Sequence, residues 1–216
     1  MLDGTIAALK GESDRHVKTH GLAALGATVA AAAHTLGSSR VGDALPLFVA
    51  SVQNALLDVR VAAVSALGTV FSAPAAAGVF DVSAAASVLQ DELTGFLRKS
   101  DRALVAAALT TTKAMVAFAP ATFNDSTVVA LGTEAAALVS EADLGLATLA
   151  ADLLVALVDG ASAQVAVQLY RLVSQPVMAL LSTAVVQGAS LQVLVQLLEA
   201  AVAKSAVGVD AVVDAL

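Results

Sequence analysis

Two histidines four positions apart, His16 and His20, would share one face of a helix, a spacing at which two imidazoles can hold a metal ion. A site needs more than two protein ligands. The third histidine, His34, follows fourteen residues after His20. At 1.5 Å per residue that is about 21 Å along a helix, which is out of reach. The pair therefore reads as solvated histidines near a helix start. Asp91 and Glu92 are adjacent, so they point to different helix faces and do not make a general acid–base pair. No glycine-rich phosphate loop, nucleophile elbow or HExxH occurs. Cysteine is absent, so there is no thiolate nucleophile, thiolate metal site or disulfide. The serines and threonines neighbour no His and acid in a catalytic pattern. The expectation is a protein that is not an enzyme, with no cofactor and no metal.

What remains is charge at turns. Arg15 and Lys18, Arg60, then Arg98, Lys99 and Arg102 recur at corresponding positions of a long repeat described below. Two roles fit them. They can form a ladder with acids of adjacent turns, here Asp14, Asp58 and Asp101, or they can contact a partner. The second role suits Arg98, Lys99 and Arg102 best, because they stand in the most charged turn of a charge-poor chain.

Composition limits the partner. The chain has 216 residues, 58% hydrophobic and 13% charged, with a net charge of -7. Phosphate binding needs clustered Lys and Arg, so nucleic acid is a poor partner. Aromatics are only 3% and tryptophan is absent, which removes platforms for stacking bases. The apolar content excludes disorder. A mean hydropathy of +0.86 raises a membrane helical bundle as an alternative. Yet the long uncharged stretch 172–198 holds Ser174, Gln175, Pro176, Gln187, Gln192 and Gln196, too polar for a span in hydrocarbon. No secretory leader is visible, and with no cysteine the expected location is cytoplasmic and/or nuclear.

The elements that must carry these residues repeat. Ala24-Leu25-Gly26 recurs as Ala66-Leu67-Gly68. Anchors at 14, 56, 101, 143 and 187 step by 42, 45, 42 and 44 residues. Periods of about 40–47 residues with two helices each belong to solenoids of the HEAT or armadillo kind. First helices are expected near 2–10, 41–55, 81–97, 125–139 and 162–174. Second helices are expected near 14–36, 57–73, 101–118, 143–158 and 185–204. Asp14, Asp101 and Asp143 stand where an acid caps free N–H groups. Gly37, Pro74, Pro120 and Gly160 punctuate the periods, and Pro176 is expected to break or bend its helix. Leu104, Ala108, Thr111 and Met115 form one apolar face, and Leu146, Ala150, Leu153 and Leu157 another. Gly26 and Gly68 occupy one repeat position inside second helices, where close helix contact would explain them.

The turns resemble a known family. Phe96-Leu97-Arg98-Lys99-Ser100-Asp101-Arg102-Ala103-Leu104 looks like a turn of the cullin-associated, neddylation-dissociated HEAT-repeat proteins. Leu138-Val139-Ser140-Glu141-Ala142-Asp143 resembles that family's next turn, and Val185-Val186-Gln187-Gly188-Ala189-Ser190-Leu191 the one after. His16-Val17-Lys18 and the segment 42–57 align less specifically, and the resemblance covers about 6–208. It implies an internal piece, from the middle towards the C-terminal part, of a longer solenoid. Such a solenoid wraps a cullin bound to its RING subunit, binds the unmodified cullin, competes with the substrate-receptor adaptor and so promotes exchange of receptor modules. The part that displaces the adaptor would not be included. The chain departs from the family in being richer in Ala and Val and poorer in charge.

The reading is an all-α right-handed α-α superhelix, a HEAT-repeat solenoid of about five repeats. They fall near 1–38, 39–78, 79–121, 122–160 and 161–205, with the start of a further repeat at 206–216. Neither end offers a polar capping repeat, so a segment of a longer array is expected. The function is a protein-binding scaffold, with a cullin–RING complex as partner and Arg98, Lys99 and Arg102 as contacts. The alternatives are a generic HEAT adaptor, of the nuclear transport or phosphatase scaffold type, and the membrane bundle.

Overall fold

The structure, a computed structural model, describes residues 2–99, 101–183 and 185–205, with nothing stated for the side chains of Ser39, Arg40 and Ser205. The described residues include no strand. They form two compact units, Met1–Thr122 and Phe123–Leu216. The expected start of a further repeat at 206–216 lies outside the described residues.

The first unit holds α1 (Leu2–Gly11), α2 (Arg15–Leu36), the short α3 (Ser38–Gly42), α4 (Leu45–Val52), α5 (Leu57–Phe71), α6 (Ala86–Leu97) and α7 (Arg102–Phe118). Single 3-10 turns lie at Pro74–Ala76, Ser83–Ala85 and Pro120–Thr122. The second unit holds α8 (Asp125–Ala137), α9 (Leu144–Gly160), α10 (Ala163–Leu181) and α11 (Gly188–Ser205).

Side-chain caps fix where these helices begin. Asp14 accepts from the N–H groups of His16 at 2.8 Å and Val17 at 3.2 Å. Asp101 accepts from Leu104 N–H at 2.8 Å, and Asp143 from Leu146 N–H at 3.0 Å. Each satisfies a donor that the first helical turn leaves open. Asn124 caps α8 through Thr127 N–H at 2.9 Å, and Ser162 caps α10 through Val165 N–H at 3.4 Å. At α5 the cap position is Leu56, which has no side-chain acceptor. There the Asn54 side chain accepts from Leu56 N–H instead. Gly37 ends α2 at φ +78, a left-handed backbone that suits glycine.

Within the first unit α1 packs on α2, α4 on α5 and α6 on α7, while α2, α5 and α7 lie side by side. The stacking is close because the residues at the crossings are small. A Cβ added to Gly26 would lie 2.8 Å from the Ala66 Cβ and 3.0 Å from the Ala66 Cα and carbonyl oxygen. One added to Gly68 would lie 2.6 Å from the Thr111 Oγ1. Leu104, Ala108, Thr111 and Met115 are all buried, as their spacing requires. Phe71 closes the far end, its ring 6.3 Å from Phe80 and 5.2 Å from Phe118.

The second unit repeats the pairing. α8 packs on α9 and α10 on α11, with α8 against α10 and α9 against α11. Ala150, Leu153 and Leu157 are buried in it, whereas Leu146 is partly exposed. Across one repeat, Thr148 Oγ1 donates to Ser190 Oγ at 2.8 Å. The Lys204 ammonium donates to the Asp159 carbonyl at 2.7 Å, at the C-terminal end of α9.

Two expectations are corrected, and of the break or bend expected at Pro176 the break does not occur. The helix expected at 41–55 is split into α3 and α4, because Pro46 starts a new helix in its first turn. The helix expected from 81 begins at Ala86, because the Asp81 side chain accepts from Ser83 N–H at 2.9 Å and holds a turn there. Pro176 does not end α10, which runs through it to Leu181. Val173, Val177 and Leu180 are buried on one face of α10. Burying three such side chains outweighs the roughly 3 kcal/mol cost of an interior proline.

Candidate functional site

The residues that could do chemistry are dispersed. His16 and His20 are both exposed on α2, and the His16 ring accepts a bond from the Arg15 guanidinium at 3.4 Å. Among the described residues no group of three His, Asp or Glu could hold a metal. Glu92 accepts from the Gln53 amide at 3.0 Å, tying α6 to the end of α4, while Asp91 is exposed. The adjacent carboxylates thus do different things. Asp14 is held ionised below its ordinary 3.8 by the N–H groups of Val17 and His16. Asp81 is held below the same value by the N–H and then the hydroxyl of Ser83. Both shifts belong to capping and turn formation. No described helix is long and apolar enough to cross a membrane.

Arg98, Lys99 and Arg102 lie together around the turn between α6 and α7, and all three are exposed. Arg98 is the C-terminal cap residue of α6, where a cation complements the free carbonyls. Lys99 is tied in by its backbone N–H, which donates to the Phe96 carbonyl at 3.0 Å. Arg102 is the first residue of α7. A rung of a charge ladder occurs earlier in the chain, where the Arg15 Nε stands 3.7 Å from the Asp58 carboxylate.

A broad concavity of the first unit lies elsewhere. α2, α5 and α7 together line an open groove of about 860 Å³. Its floor is made of Ala27, Ala31, Ser65, Thr69, Ala106 and Thr110, with Gly68 and Thr111 at the helix crossing. These side chains are short, so a segment lying there would approach the helix backbones closely. The hydroxyls of Thr69 and Thr110 donate to the carbonyls of Ser65 and Ala106 in their own helices. The groove surface is thereby neutral and mostly apolar. Its sequence signal is small residues four apart, as in Ala27 and Ala31, Ser65 and Thr69, or Ala106 and Thr110. In a chain this rich in alanine that signal does not stand out. A second groove, of about 560 Å³, belongs to the second unit and is lined by Val139, Glu141, Pro176, Ala179, Leu180 and Thr183, among others.

No protein-family model matches the chain, and no curated protein matches it. Solved structures do. A designed armadillo repeat protein superposes on 100% of this chain and 88% of its own, with a TM-score of 0.70 and 16% identity. A second designed armadillo repeat protein, solved in complex with the peptide (KR)4, matches over 99% of this chain and 89% of its own, with a TM-score of 0.68 and 14% identity. An engineered protein solved by a structural genomics consortium matches over 94% of this chain and 81% of its own, with a TM-score of 0.68 and 15% identity. At such identities the likeness speaks to fold. The chain is an all-α helical-repeat protein of the α-α superhelix class, similar to designed armadillo repeat proteins.

Proposed function

We propose that this chain is a non-enzymatic protein-binding scaffold, and that it takes an extended segment of its partner along α2, α5 and α7. The observation that carries this reading is the open groove across three neighbouring second helices, floored by small side chains. Repeat folds bind through such extended surfaces rather than through an enclosed site. A similar designed fold has been solved with a peptide bound. Blocking the groove tests it. Ser65→Trp and Ala107→Trp each put a large ring into the groove from α5 or α7. Both should abolish capture of a partner while leaving the melting temperature within a few degrees of wild type. Capture at wild-type strength by both variants would rule the groove out.

The finer proposal is the partner itself: an unneddylated cullin–RING complex, met in the cytoplasm and/or nucleus, with substrate-receptor exchange promoted by the longer array. Support for this lies in the three turns that resemble the cullin-associated family and in their order. The basic turn at Arg98, Lys99 and Arg102 would supply the rim contact. Pull-down of purified unneddylated cullin–RING complex by this chain is the direct test. No binding at micromolar concentrations, together with groove-dependent capture of another protein, would leave a generic repeat adaptor.

A further inference from the structure

The last two helices of the second unit share an apolar edge. Along α11, Leu191 and Val195 are exposed and Leu198 is half-buried, whereas Leu194, Leu197 and Ala201 are buried. Leu191, Val195 and Leu198 follow at steps of four and three, so they form one edge of the helix. α9 lies against a different side, where Ser190 and Lys204 bond to it. α10 is built likewise. Its Pro176 and Ala179 stand beside the residues that follow α8. At 3.6 residues per turn, Val167 and Met178 lie about 160–180° around α10 from Pro176. Both are half-buried, as is Tyr170, which shares their edge. α10 and α11 thus turn apolar edges away from the preceding repeat.

The chain itself holds a segment suited to this face. Residues 206–216 follow α11 directly. Val209, Val212, Val213 and Leu216 have the spacing of one helical stripe, and Asp210 and Asp214 fall beside it, four residues apart. The preceding repeat indicates where such a helix would start. Ser162, ahead of α10, donates to the Asp125 carboxylate at the start of α8 at 3.2 Å, so successive first helices begin side by side. A helix after α11 would then begin beside the start of α10. Charge agrees with that placement. The segment carries two acids and no base. Arg171, four residues after Val167, is exposed and makes no ion pair or hydrogen bond with any described residue. The other base of the second unit, Lys204, is engaged at the end of α9.

We propose that residues 206–216 form a helix that docks on this face. Its valines and leucine lie against Val167, Tyr170 and Leu198, and its aspartates pair with Arg171 at the rim. Docked there, the segment shields apolar surface that would otherwise meet solvent or a second copy of the chain. The inference does not depend on the groove along α2, α5 and α7.

Tyr170 gives the test. It is the one tyrosine of a chain without tryptophan, so tyrosine fluorescence of the full chain reports this face. Acrylamide is uncharged, so its approach to the ring follows cover rather than charge. Val212→Asp with Val213→Asp should raise the quenching constant at least two-fold. Ala211→Asp places the same kind of charge away from the stripe and should raise it by less than a quarter. Arg171→Glu should raise it as well, and adding Asp210→Lys and Asp214→Lys should bring it back to the wild-type value. That rescue separates docking from a loss of fold, and circular dichroism checks the helix content of each variant. Unchanged quenching in the double valine variant would overturn the proposal. Equal rises in that variant and in Ala211→Asp would do the same. Wild-type protection of Tyr170 that disappears on dilution would assign the face to a second copy instead.

Discussion

The Thr111 hydroxyl of α7 donates to the Val64 carbonyl of α5 at 2.8 Å, a buried bond between two stacked second helices. Val64 lies one helical turn before Gly68, and its carbonyl is also the helical acceptor for the Gly68 N–H. The hydroxyl reaches it because Gly68 has no Cβ, which would lie 2.6 Å from that oxygen. One missing carbon thus sets both the helix spacing and the bond that crosses it.

Gly68→Ala should therefore destabilise the chain. Overpacking costs about 1–3 kcal/mol, against which alanine's better helix propensity offsets roughly 1 kcal/mol. Gly68→Leu should cost more. Thr111→Val, which loses the bond but keeps the shape, should cost about 0.5–1.5 kcal/mol. Adding Thr111→Ala to Gly68→Ala removes the obstacle, so the two losses should not add. Urea denaturation measures these four variants and Thr111→Ala alone. An unchanged midpoint in Gly68→Leu, whose extra bulk exceeds any gain in propensity, would show that α5 and α7 do not pack closely at this position.

Gly26 makes a different contact and predicts a different outcome. Its added Cβ would meet the Ala66 Cα and carbonyl oxygen, each at 3.0 Å, which are backbone and cannot rotate away. Gly26→Ala carries the same overpacking cost of about 1–3 kcal/mol, offset by roughly 1 kcal/mol of helix propensity. Ala66→Gly should not rescue it, because the backbone atoms remain. Full rescue would show that the methyl group alone sets the spacing of α2 and α5.

The capping acids give a pH dependence of defined sign. The Asp14 carboxyl is held below 3.8 in the folded chain by the N–H groups of Val17 and His16. Its contribution is fully present above the ordinary carboxylate range and disappears as pH falls through the lowered value. Asparagine caps equally well but does not titrate there. Asp14→Asn should flatten the acid limb of the stability profile below pH 3.8 and leave neutral stability nearly unchanged. Parallel acid limbs for the two proteins would refute the assignment. Asp101→Ala, at neutral pH, should cost about 0.5–2 kcal/mol through the lost bond to Leu104.

These residues also show where the sequence is informative. Asp14, Asp101 and Asp143 are legible as caps because an acid placed before an apolar period of 3.6 satisfies donors that nothing else can reach. Gly26 and Gly68 are legible because glycine inside a helix demands a packing reason. The split at Pro46 and the turn at Asp81 are harder, since apolar spacing continues across both while a local proline or side-chain bond decides the boundary. Pro176 misleads in the opposite direction. Its local cost is plain in the sequence, but the buried face of Val173, Val177 and Leu180 that overrides it depends on tertiary contact. The grooves are least legible. Alanine spacing is common throughout the chain, and the meeting of Glu141 with Pro176 joins residues 35 positions apart.

The last prediction concerns Arg98, Lys99 and Arg102. They are exposed around one turn, Arg98 at the C-terminal end of α6 and Arg102 at the start of α7. Exposed charges act mainly on encounter, so their effect should lie in association rate and salt dependence rather than in the final complex. Reversing Arg98 and Lys99 to Glu, in an array that binds a cullin–RING complex, should slow association about ten-fold at low salt and far less at high salt. Folding should change little, since exposed ion pairs of this kind contribute roughly 0–1 kcal/mol each. Stopped-flow mixing at two ionic strengths separates the roles. A lowered melting temperature with wild-type association rates would place these bases in a structural ladder like that of Arg15 and Asp58. A slowed, salt-sensitive association with an unchanged melting temperature would place them at the contact.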